Sequence, residues 1–188
     1  MSTDSDLIEQ SLEDPARFGE LFHRYAPSLH RYVARRAGRA IADDVTSETF
    51  LIAFERRSSF DRERADARPW LFGIATNLIH RHRIAEARTL RTAERAAAKA
   101  PPQGEVDELA EAAETRLEVR RLARELRRLS MADRDCLLLF AWEGLSYEQI
   151  AEAMEVPVGT VRSRLNRARR ILRDAPSVQA KVKENVHE

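Results

Sequence analysis

A tract with almost nothing to bury divides this chain into two parts. Residues 92–117 are rich in alanine, glutamate and proline and contain no large aromatic side chain. Pro101 and Pro102 exclude a continuous helix, because proline lacks a backbone N–H and disfavours helix in the residue before it. A tract of this composition cannot bury enough apolar surface to offset its ordering entropy. It therefore predicts a flexible linker between two small domains.

Both flanking parts have the apolar spacing of helices, and strand-like alternation is scarce. Residues 1–91 contain three apolar helical stripes, in 18–33, 41–57 and 70–78. Residues 118–174 contain a second set of core candidates, mainly leucines, together with Phe140 and Trp142. The prediction is an all-α chain of two small helical domains with a frayed tail over 175–188. Pro27, inside the first stripe, predicts a kink or a break there.

Composition excludes several classes of protein. The 188 residues carry a net charge of only +1, so any contact with nucleic acid must depend on local clusters of charge. The single cysteine, Cys136, excludes an internal disulfide framework and a cysteine-built metal site. No apolar run approaches the roughly 20 residues of a membrane span, and the acidic N-terminus lacks the basic start of a signal peptide. We expect a cytoplasmic protein without membrane insertion, metal or cofactor.

The segment before residue 174 has the pattern of a helix-turn-helix. Ser146 and Gln149 have the spacing of a capping box, which marks a helix start. A short turn at residues 155–157 leads into a longer helix. Glu155 stands near the position where many such turns carry a glycine with positive φ. The longer helix has one apolar face, which consists of Val158, Val161, Leu165, Ala168 and Leu172.

The opposite face of this longer helix is polar and basic. Arginine can bond guanine through two N–H groups and can also contact phosphate, so such a face suits the DNA major groove. A solvated basic face on an ordinary helix is the alternative. The capping box, the turn and the apolar spacing together favour DNA binding. The face contains Arg162, Ser163, Asn166, Arg167, Arg170 and Arg173.

Two further clusters in the first part carry possible chemistry. Asp43, Asp44 and Glu48 lie on one predicted helix and could form a solvated face, a protein-docking face, or an acid–base or metal site. No nucleophile or glycine-rich phosphate loop accompanies them, which disfavours catalysis. His80 and His82 diverge by about 200° on a helix, so they do not suit one metal ion. Trp70, Asn77 and Arg81 share a face that could stack on and bond an unpaired base, although a buried tryptophan is the commoner case.

Three segments in this order resemble a bacterial sigma factor of the extracytoplasmic-function (ECF) group. They are "DDVTSETF", "RPWLFGIATNLIHRHR" and "GLSYEQIAEAMEVPVGTVRSRLNRAR". The resemblance implies a protein that is not an enzyme. It implies instead that the chain binds core RNA polymerase and directs it to promoter DNA. The first domain would recognise and melt the −10 element, and the second would bind the −35 element.

The resemblance also assigns residues to these tasks. Asp44, Glu48 and Phe50, with Asp43 beside them, match the helix that docks on polymerase, although Ser47 replaces the family's usual glutamine. The loop from Ser58 to Arg68 matches the loop that captures a flipped base of the −10 element. The implied −10 residues are Phe60, Asp61, Trp70, Asn77, Arg81 and Arg83. In the −35 domain, the implied base-reading residues are Arg162, Ser163 and Asn166, and the implied phosphate contacts are Arg164, Arg167 and Arg170.

The resemblance further implies an anti-sigma factor as a regulatory partner. It also implies that the acidic linker threads polymerase channels meant for nucleic acid. Two alternatives stay open on the residues themselves. One is a helix-turn-helix regulator that binds operators without polymerase. The other is a metal-dependent nucleic-acid enzyme that uses Asp43, Asp44 and Glu48.

Overall fold

The structure, a computed structural model, describes residues 2–64, 66–96 and 123–173. Most of the predicted linker and the whole predicted tail lie outside these residues. The first domain has four helices: α1 (Asp4–Glu13), α2 (Phe18–Ala37), α3 (Ala42–Arg56) and α4 (Arg68–Ala96). The second has α5 (residues 123–128), α6 (Met131–Glu143), α7 (Tyr147–Ala153) and α8 (Val158–Arg173). The described residues include no strand, so the all-α prediction is confirmed.

Helix α1 was not predicted from the sequence, although its start carries a clear signal. The Thr3 side chain accepts a hydrogen bond from the Asp6 N–H at 3.1 Å, and the Asp6 carboxylate accepts one from the Thr3 N–H at 2.8 Å. This capping box satisfies backbone donors that the first turn would leave unpaired. Leu7 and Ile8 then bury the inner face of α1 against the rest of the first domain.

Helix α2 is continuous through Pro27, so a break at this proline was a wrong prediction. Proline removes one helical hydrogen bond, which here leaves the carbonyl of His23 without its usual donor. Tertiary packing compensates for this loss, because the stripe on both sides of the proline is buried. Leu21 before it and Leu29, Tyr32 and Val33 after it have no exposed surface.

The two domains pack directly against each other, and we call this packing the closed arrangement. Helix α4 lies on α7, and buried apolar residues of both domains form one continuous core. Gly73 of α4 permits the approach, because a Cβ atom at this position would lie 2.4 Å from the carbonyl oxygen of Ala153. The sequence predicted two domains but contained no sign of this contact.

Several large apolar side chains that the sequence placed in the core are partly exposed. Phe22 is 43% exposed, and Phe140 and Trp142 are each 37% exposed. Helical spacing identifies which residues form an apolar stripe, but it does not show how much of that stripe the neighbouring helices bury. Among the described helices, none combines the length and apolar character needed to cross a membrane.

Candidate nucleic-acid and protein interfaces

The predicted helix-turn-helix is present in the second domain. Ser146 and Gln149 form the capping box at the start of α7: the Ser146 side chain accepts from the Gln149 N–H at 3.2 Å, and the Gln149 side chain accepts from the Ser146 N–H at 2.9 Å. The turn places Glu155 at a φ of 51°, in the left-handed region. A glutamate thus occupies a conformation that glycine adopts at lower cost.

Helix α8 buries one face and presents the other to solvent, as its sequence predicted. Val161, Leu165 and Ala168 have no exposed surface. Arg164 is half-buried and close to the Cys136 thiol. Burial raises the pKa of this thiol, and the nearby arginine opposes that shift. The exposed face therefore does not include every predicted DNA contact. It includes Arg162, Ser163, Asn166, Arg167 and Arg170.

Arg167 also has a structural partner that the sequence did not reveal. Its Nη1 atom donates to both carboxylate oxygens of Asp133, at 3.0 and 3.2 Å. The Asp133 side chain is only 3% exposed, whereas that of Arg167 is 51% exposed. Removing the arginine would leave a buried carboxylate without its cation. Arg167 therefore fastens α8 to α6 and keeps part of its guanidinium at the surface.

The acidic face of α3 combines charge with an apolar side chain. Asp44 and Glu48 are followed by Leu51, and the spacing of four and three residues places all three on one face. Leu51 is 57% exposed. Phe50 is 6% exposed, and its ring centroid lies 4.9 Å from that of Phe22, which is itself partly exposed. Phe50 therefore packs beneath α3 against Phe22, and Leu51 adds an exposed apolar side chain to the acidic face.

Polar contacts connect this face to neighbouring helices. Arg81 of α4 lies 3.6 Å and His82 lies 3.9 Å from the Glu48 carboxylate. The Asp43 carboxylate lies 3.0 Å from Nε2 of His30 in α2, and the Asp43 side chain is 90% exposed. The predicted polymerase residue Glu48 and the predicted −10 residue Arg81 thus lie side by side.

The loop between α3 and α4 has an aromatic floor and a polar surface. Phe60 is 7% exposed, and its ring centroid lies 5.0 Å from that of Trp70 at an interplanar angle of 52°. Asp61 is exposed and accepts from the Glu63 N–H and from Arg64 Nε, both at 3.1 Å. The loop therefore presents Asp61 to solvent, with the two aromatic rings beneath it.

Helix α4 distributes the remaining −10 candidates unevenly. Asn77 and Arg81 are exposed. Arg83 instead donates to the backbone carbonyl of Arg36, and burial lowers the pKa of its guanidinium, as does the charge of Arg36. The structure therefore gives Arg83 an internal contact.

The second domain touches the loop and the first turn of α4 through several polar contacts. Gln149 Nε2 donates to Asp66 Oδ2 at 3.0 Å. Arg64 Nη1 lies 2.9 Å from Glu152 Oε1. Arg68 Nη2 donates to the backbone carbonyl of Glu143 at 2.5 Å. In the closed arrangement, α7 and the end of α6 therefore cover one side of the predicted −10 loop.

A buried ionic cluster lies at the centre of the domain interface. Arg36 of α2 donates to Asp135 of α6, and both side chains are fully buried. Arg36 also donates to the Tyr32 hydroxyl at 2.6 Å. His80 Nε2 lies 2.8 Å from the second oxygen of Asp135. Sequence reasoning missed this cluster, because its members come from three helices and no local spacing connects them.

The first domain matches the family description "Sigma-70 region 2" over residues 21–89, and the second matches "Sigma-70, region 4" over residues 120–172. An ECF RNA polymerase sigma-E factor of Haemophilus influenzae is 33% identical over an alignment that covers 90% of this chain and 93% of the relative. The chain is a sigma factor of the ECF group. It directs RNA polymerase in promoter-specific transcription initiation, and its helix-turn-helix belongs to the region 4 domain.

Two further comparisons agree with this assignment. The RNA polymerase sigma factor NccH of Alcaligenes xylosoxydans xylosoxydans is 30% identical, over 89% of this chain and 91% of the relative. The solved structure of CnrH in complex with the cytosolic domain of CnrY has a TM-score of 0.64 and 26% identity, and it covers 90% of this sigma factor. Sigma factors are initiation factors rather than enzymes. Among the described residues, no group of three or more His, Cys, Asp or Glu side chains is arranged to hold a metal ion.

Proposed function

We propose that the two domains of this sigma factor divide promoter recognition, with residues 1–91 docking on core polymerase and reading the −10 element and residues 118–174 reading the −35 element. The observation that carries this proposal is the surface of α8. Arg162, Ser163 and Asn166 are exposed on the side of α8 that lies away from its buried apolar residues. A helix held in this way can enter a major groove without disturbing the core beneath it.

The acidic face of α3 is the proposed polymerase-docking surface. It presents Asp44, Glu48 and Leu51 together on one face of α3. Exposed apolar side chains next to charges are typical of protein interfaces, in which an apolar centre supplies affinity and the charges orient the partner. Asp43 lies at the edge of this surface, where it contacts His30.

The loop before α4 and the exposed side of α4 form the proposed −10 site. Asp61, Asn77 and Arg81 are exposed there and offer hydrogen-bonding groups. Half-buried Trp70 supplies aromatic surface beside the loop, and buried Phe60 packs against it. A flipped base needs stacking and edge contacts to offset its lost pairing, and this combination offers both. Arg83 supports α4 through its contact with Arg36.

The exposed residues of α8 divide into a group that contacts base edges and a group that contacts phosphates. We assign base reading to Arg162, Ser163 and Asn166 and phosphate contact to Arg170. Arg167 combines a phosphate contact with its bond to Asp133. Arg164 faces the Cys136 thiol, so it acts mainly through packing.

The sigma factor acts in the cytoplasm as a binding protein without catalytic activity, and an anti-sigma factor controls it. The support for the regulator is the likeness to CnrH, which was solved in complex with the cytosolic domain of CnrY. The alternative is a regulator that binds operators alone. It predicts sequence-specific duplex binding without polymerase. It does not explain why Leu51 and Asp44 are exposed together on α3.

Run-off transcription with core polymerase on genomic fragments tests whether the sigma factor selects promoters.

A competition assay for core polymerase tests the docking surface. Asp44→Ala with Leu51→Ala is expected to reduce core affinity about tenfold or more, because truncation at an interface centre commonly costs above 1 kcal/mol per residue. This pair is preferred because both side chains are exposed, whereas Glu48 also contacts Arg81. Glu13→Ala, exposed on α1, is the matched control and should bind core normally. Native core affinity of the double variant would reject this docking surface.

A further inference from the structure

Helix α1 holds the loop that precedes α4 at two separate places. Ser5 Oγ donates to the carbonyl of Arg62 at 3.0 Å, and Arg62 Nη1 donates to Glu9 Oε1 at 2.6 Å. Five residues further along the loop, the N–H of Ala67 donates to Asp4 Oδ2 at 2.9 Å. Asp61 lies one residue before the first of these attachments, so α1 restrains the loop beside and beyond the proposed base-contacting residue.

Asp4 is the central group of this attachment. Its side chain is 3% exposed and accepts from three donors: Arg24 of α2, the Tyr25 hydroxyl at 2.5 Å, and the Ala67 N–H. A buried carboxylate is stable only when such donors surround it. Asp4 is not needed for the start of α1, because Asp6 is the residue that completes the capping box with Thr3.

Tyr25 extends the attachment to the next residue of the loop. Its hydroxyl also contacts Asp66 Oδ1 at 3.3 Å, and Asp66 accepts from the Arg68 N–H at 2.8 Å. Burial and the hydrogen bond to Asp4 raise the pKa of Tyr25 above its ordinary value. The pKa of a tyrosine is ordinarily about 10, so the hydroxyl is a donor at neutral pH with or without this shift. Asp4 and Tyr25 together determine where the loop joins α4.

We propose that α1 is a positioning element for −10 recognition, with Asp4 as its buried anchor and Ser5 and Glu9 as its surface contacts to the loop. This inference depends on the proposed role of the loop in reading the −10 element. Capturing a flipped base costs unstacking energy, and a mobile loop would add the cost of its own ordering at the same step. Because α1 holds the loop in place once the first domain has folded, the loop loses its conformational entropy during folding and not during DNA binding.

The test uses the full-length sigma factor assembled with core polymerase. Asp4→Ala is expected to weaken binding of a single-stranded −10 oligonucleotide about tenfold, the loss typical of removing a partner from a buried hydrogen-bonded group. It should also broaden the selected −10 sequence. Core affinity and the selected −35 sequence should not change, and a role in stability alone would not produce this separation.

A second variant keeps the test decisive if Asp4→Ala fails to fold. Ser5→Ala with Glu9→Ala removes only the contacts to the backbone and side chain of Arg62, and it should weaken oligonucleotide binding about threefold, as expected for exposed polar contacts. Glu13→Ala on the same helix is the matched control and should bind normally. Native −10 binding and selection by the folded variants, or an equal loss of core affinity, would overturn the proposal.

Asp61→Ala distinguishes this inference from the proposed function beneath it. If Asp61→Ala weakens −10 binding and the α1 variants do not, the loop reads DNA and the positioning role is wrong. If Asp61→Ala, Phe60→Ala and the α1 variants all leave −10 binding unchanged, the proposed −10 site itself is wrong, and the positioning role fails with it.

Discussion

Arg36 of α2 and Asp135 of α6 form an ion pair between the two domains, and neither side chain has any exposed surface. Burying two charges costs several kcal/mol per ion, and only close pairing with further hydrogen bonds offsets this cost. Tyr32 supplies one such bond to Arg36, and Tyr32 in turn contacts the Thr76 hydroxyl at 2.8 Å. The buried Arg36–Asp135 pair is therefore stabilised only in the closed arrangement, where its partner groups offset the cost of burying the two charges.

The closed arrangement is too short for its two domains to contact the −10 and −35 elements at once, as the proposed function requires. Elements centred at −10 and −35 lie about 25 base pairs apart, or about 85 Å at 3.4 Å per base pair. A compact body of the size of the described residues, about 145 of them, has a radius of gyration of about 15 Å, so it spans roughly 40 Å. The proposed division of promoter recognition therefore requires the domains to separate on a promoter, and the interface would determine how readily they do so.

Asp135→Ala should open the free protein. The substitution leaves the Arg36 guanidinium buried without its carboxylate, which costs about 3–5 kcal/mol in the closed arrangement and nothing once the domains separate into water. Small-angle X-ray scattering should report a larger radius of gyration. Arg36→Met with Asp135→Leu is the control, since an apolar pair of similar size should keep the domains closed. An unchanged radius for Asp135→Ala would contradict the role of the ion pair.

Gly73→Ala should open the protein by a steric route. The added Cβ atom would lie 2.4 Å from the carbonyl oxygen of Ala153, a backbone atom that cannot rotate away. Within α4 itself, alanine is the better helix former, so the first domain should keep its stability. Gly19→Ala on α2 is the matched control, because its Cβ would meet nothing within 4 Å. Energy transfer between dyes on the two domains should fall for Gly73→Ala alone, and equal transfer in both variants would contradict the close approach.

The closed arrangement should become more favourable as pH falls from neutrality towards 4.5. Burial raises the pKa of Glu143, against the opposing charge of Arg68, and burial raises the pKa of Glu152, against that of Arg64. Carboxyls with a raised pKa bind protons more tightly in the closed arrangement than in an open one. The closed arrangement is therefore increasingly favoured as pH falls through these raised pKa values. The effect levels off below about 4.5, the ordinary pKa of glutamate.

The pH dependence is best measured in a His80→Gln background, because His80 lies beside Asp135 in the same interface. Energy transfer between the domains should then rise on acidification. Adding Glu143→Gln and Glu152→Gln should flatten the profile, since amides do not titrate in this range. A profile that keeps its slope in this triple variant would show that other groups cause it.

Glu155→Gly should stabilise the second domain by about 1 kcal/mol. Its φ of 51° is unfavourable for a residue with a side chain, and glycine removes that strain at some cost in unfolded-state entropy. Chemical denaturation of the full-length protein, monitored in the second domain, measures the change. Glu55→Gly, exposed within α3, is the opposing control and should destabilise by about 1 kcal/mol. Destabilisation by Glu155→Gly would mean that the glutamate side chain contributes more than the strain costs.

Base reading and phosphate contact on α8 should be separable. Arg162→Ala should relax preference at one or two base pairs of the −35 element, by about 1–3 kcal/mol of discrimination. Arg170→Ala should weaken all sequences alike and reduce the salt dependence by roughly one ion. Selection of −35 variants by reconstituted holoenzyme, repeated at several salt concentrations, distinguishes the two effects. A shifted preference with Arg170→Ala would reverse the assignment.

Arg167→Ala should differ from both substitutions. It removes the cation from buried Asp133, so it should lower the melting temperature as well as DNA affinity. Lys in place of Arg167 should restore part of the stability, because it keeps the charge near Asp133 but cannot donate through a planar fork. A native melting temperature for Arg167→Ala would show that the ion pair contributes little.

Local pattern was enough to predict most of the helices and the exposed polar face of α8. The capping box of Ser146 and Gln149 and the buried seam of Val161 and Leu165 depend on residues three or four apart, and helix geometry translates that spacing directly into position. Helix α1 carried an equally local signal in Thr3 and Asp6, which the acidic character of the N-terminus obscured. Motif order was sufficient to indicate the family.

The sequence by itself determined the helices, their apolar faces and the helix-turn-helix, because each depends on periodicity within one segment. Only the tertiary structure decided which polar groups meet across segments. Asp4 contacts Ala67, Arg36 contacts Asp135, and Gln149 contacts Asp66, over separations that no repeat encodes. Such pairs form where packed helices exclude water and leave a charge only one available partner, and the packing of the whole chain determines that partner.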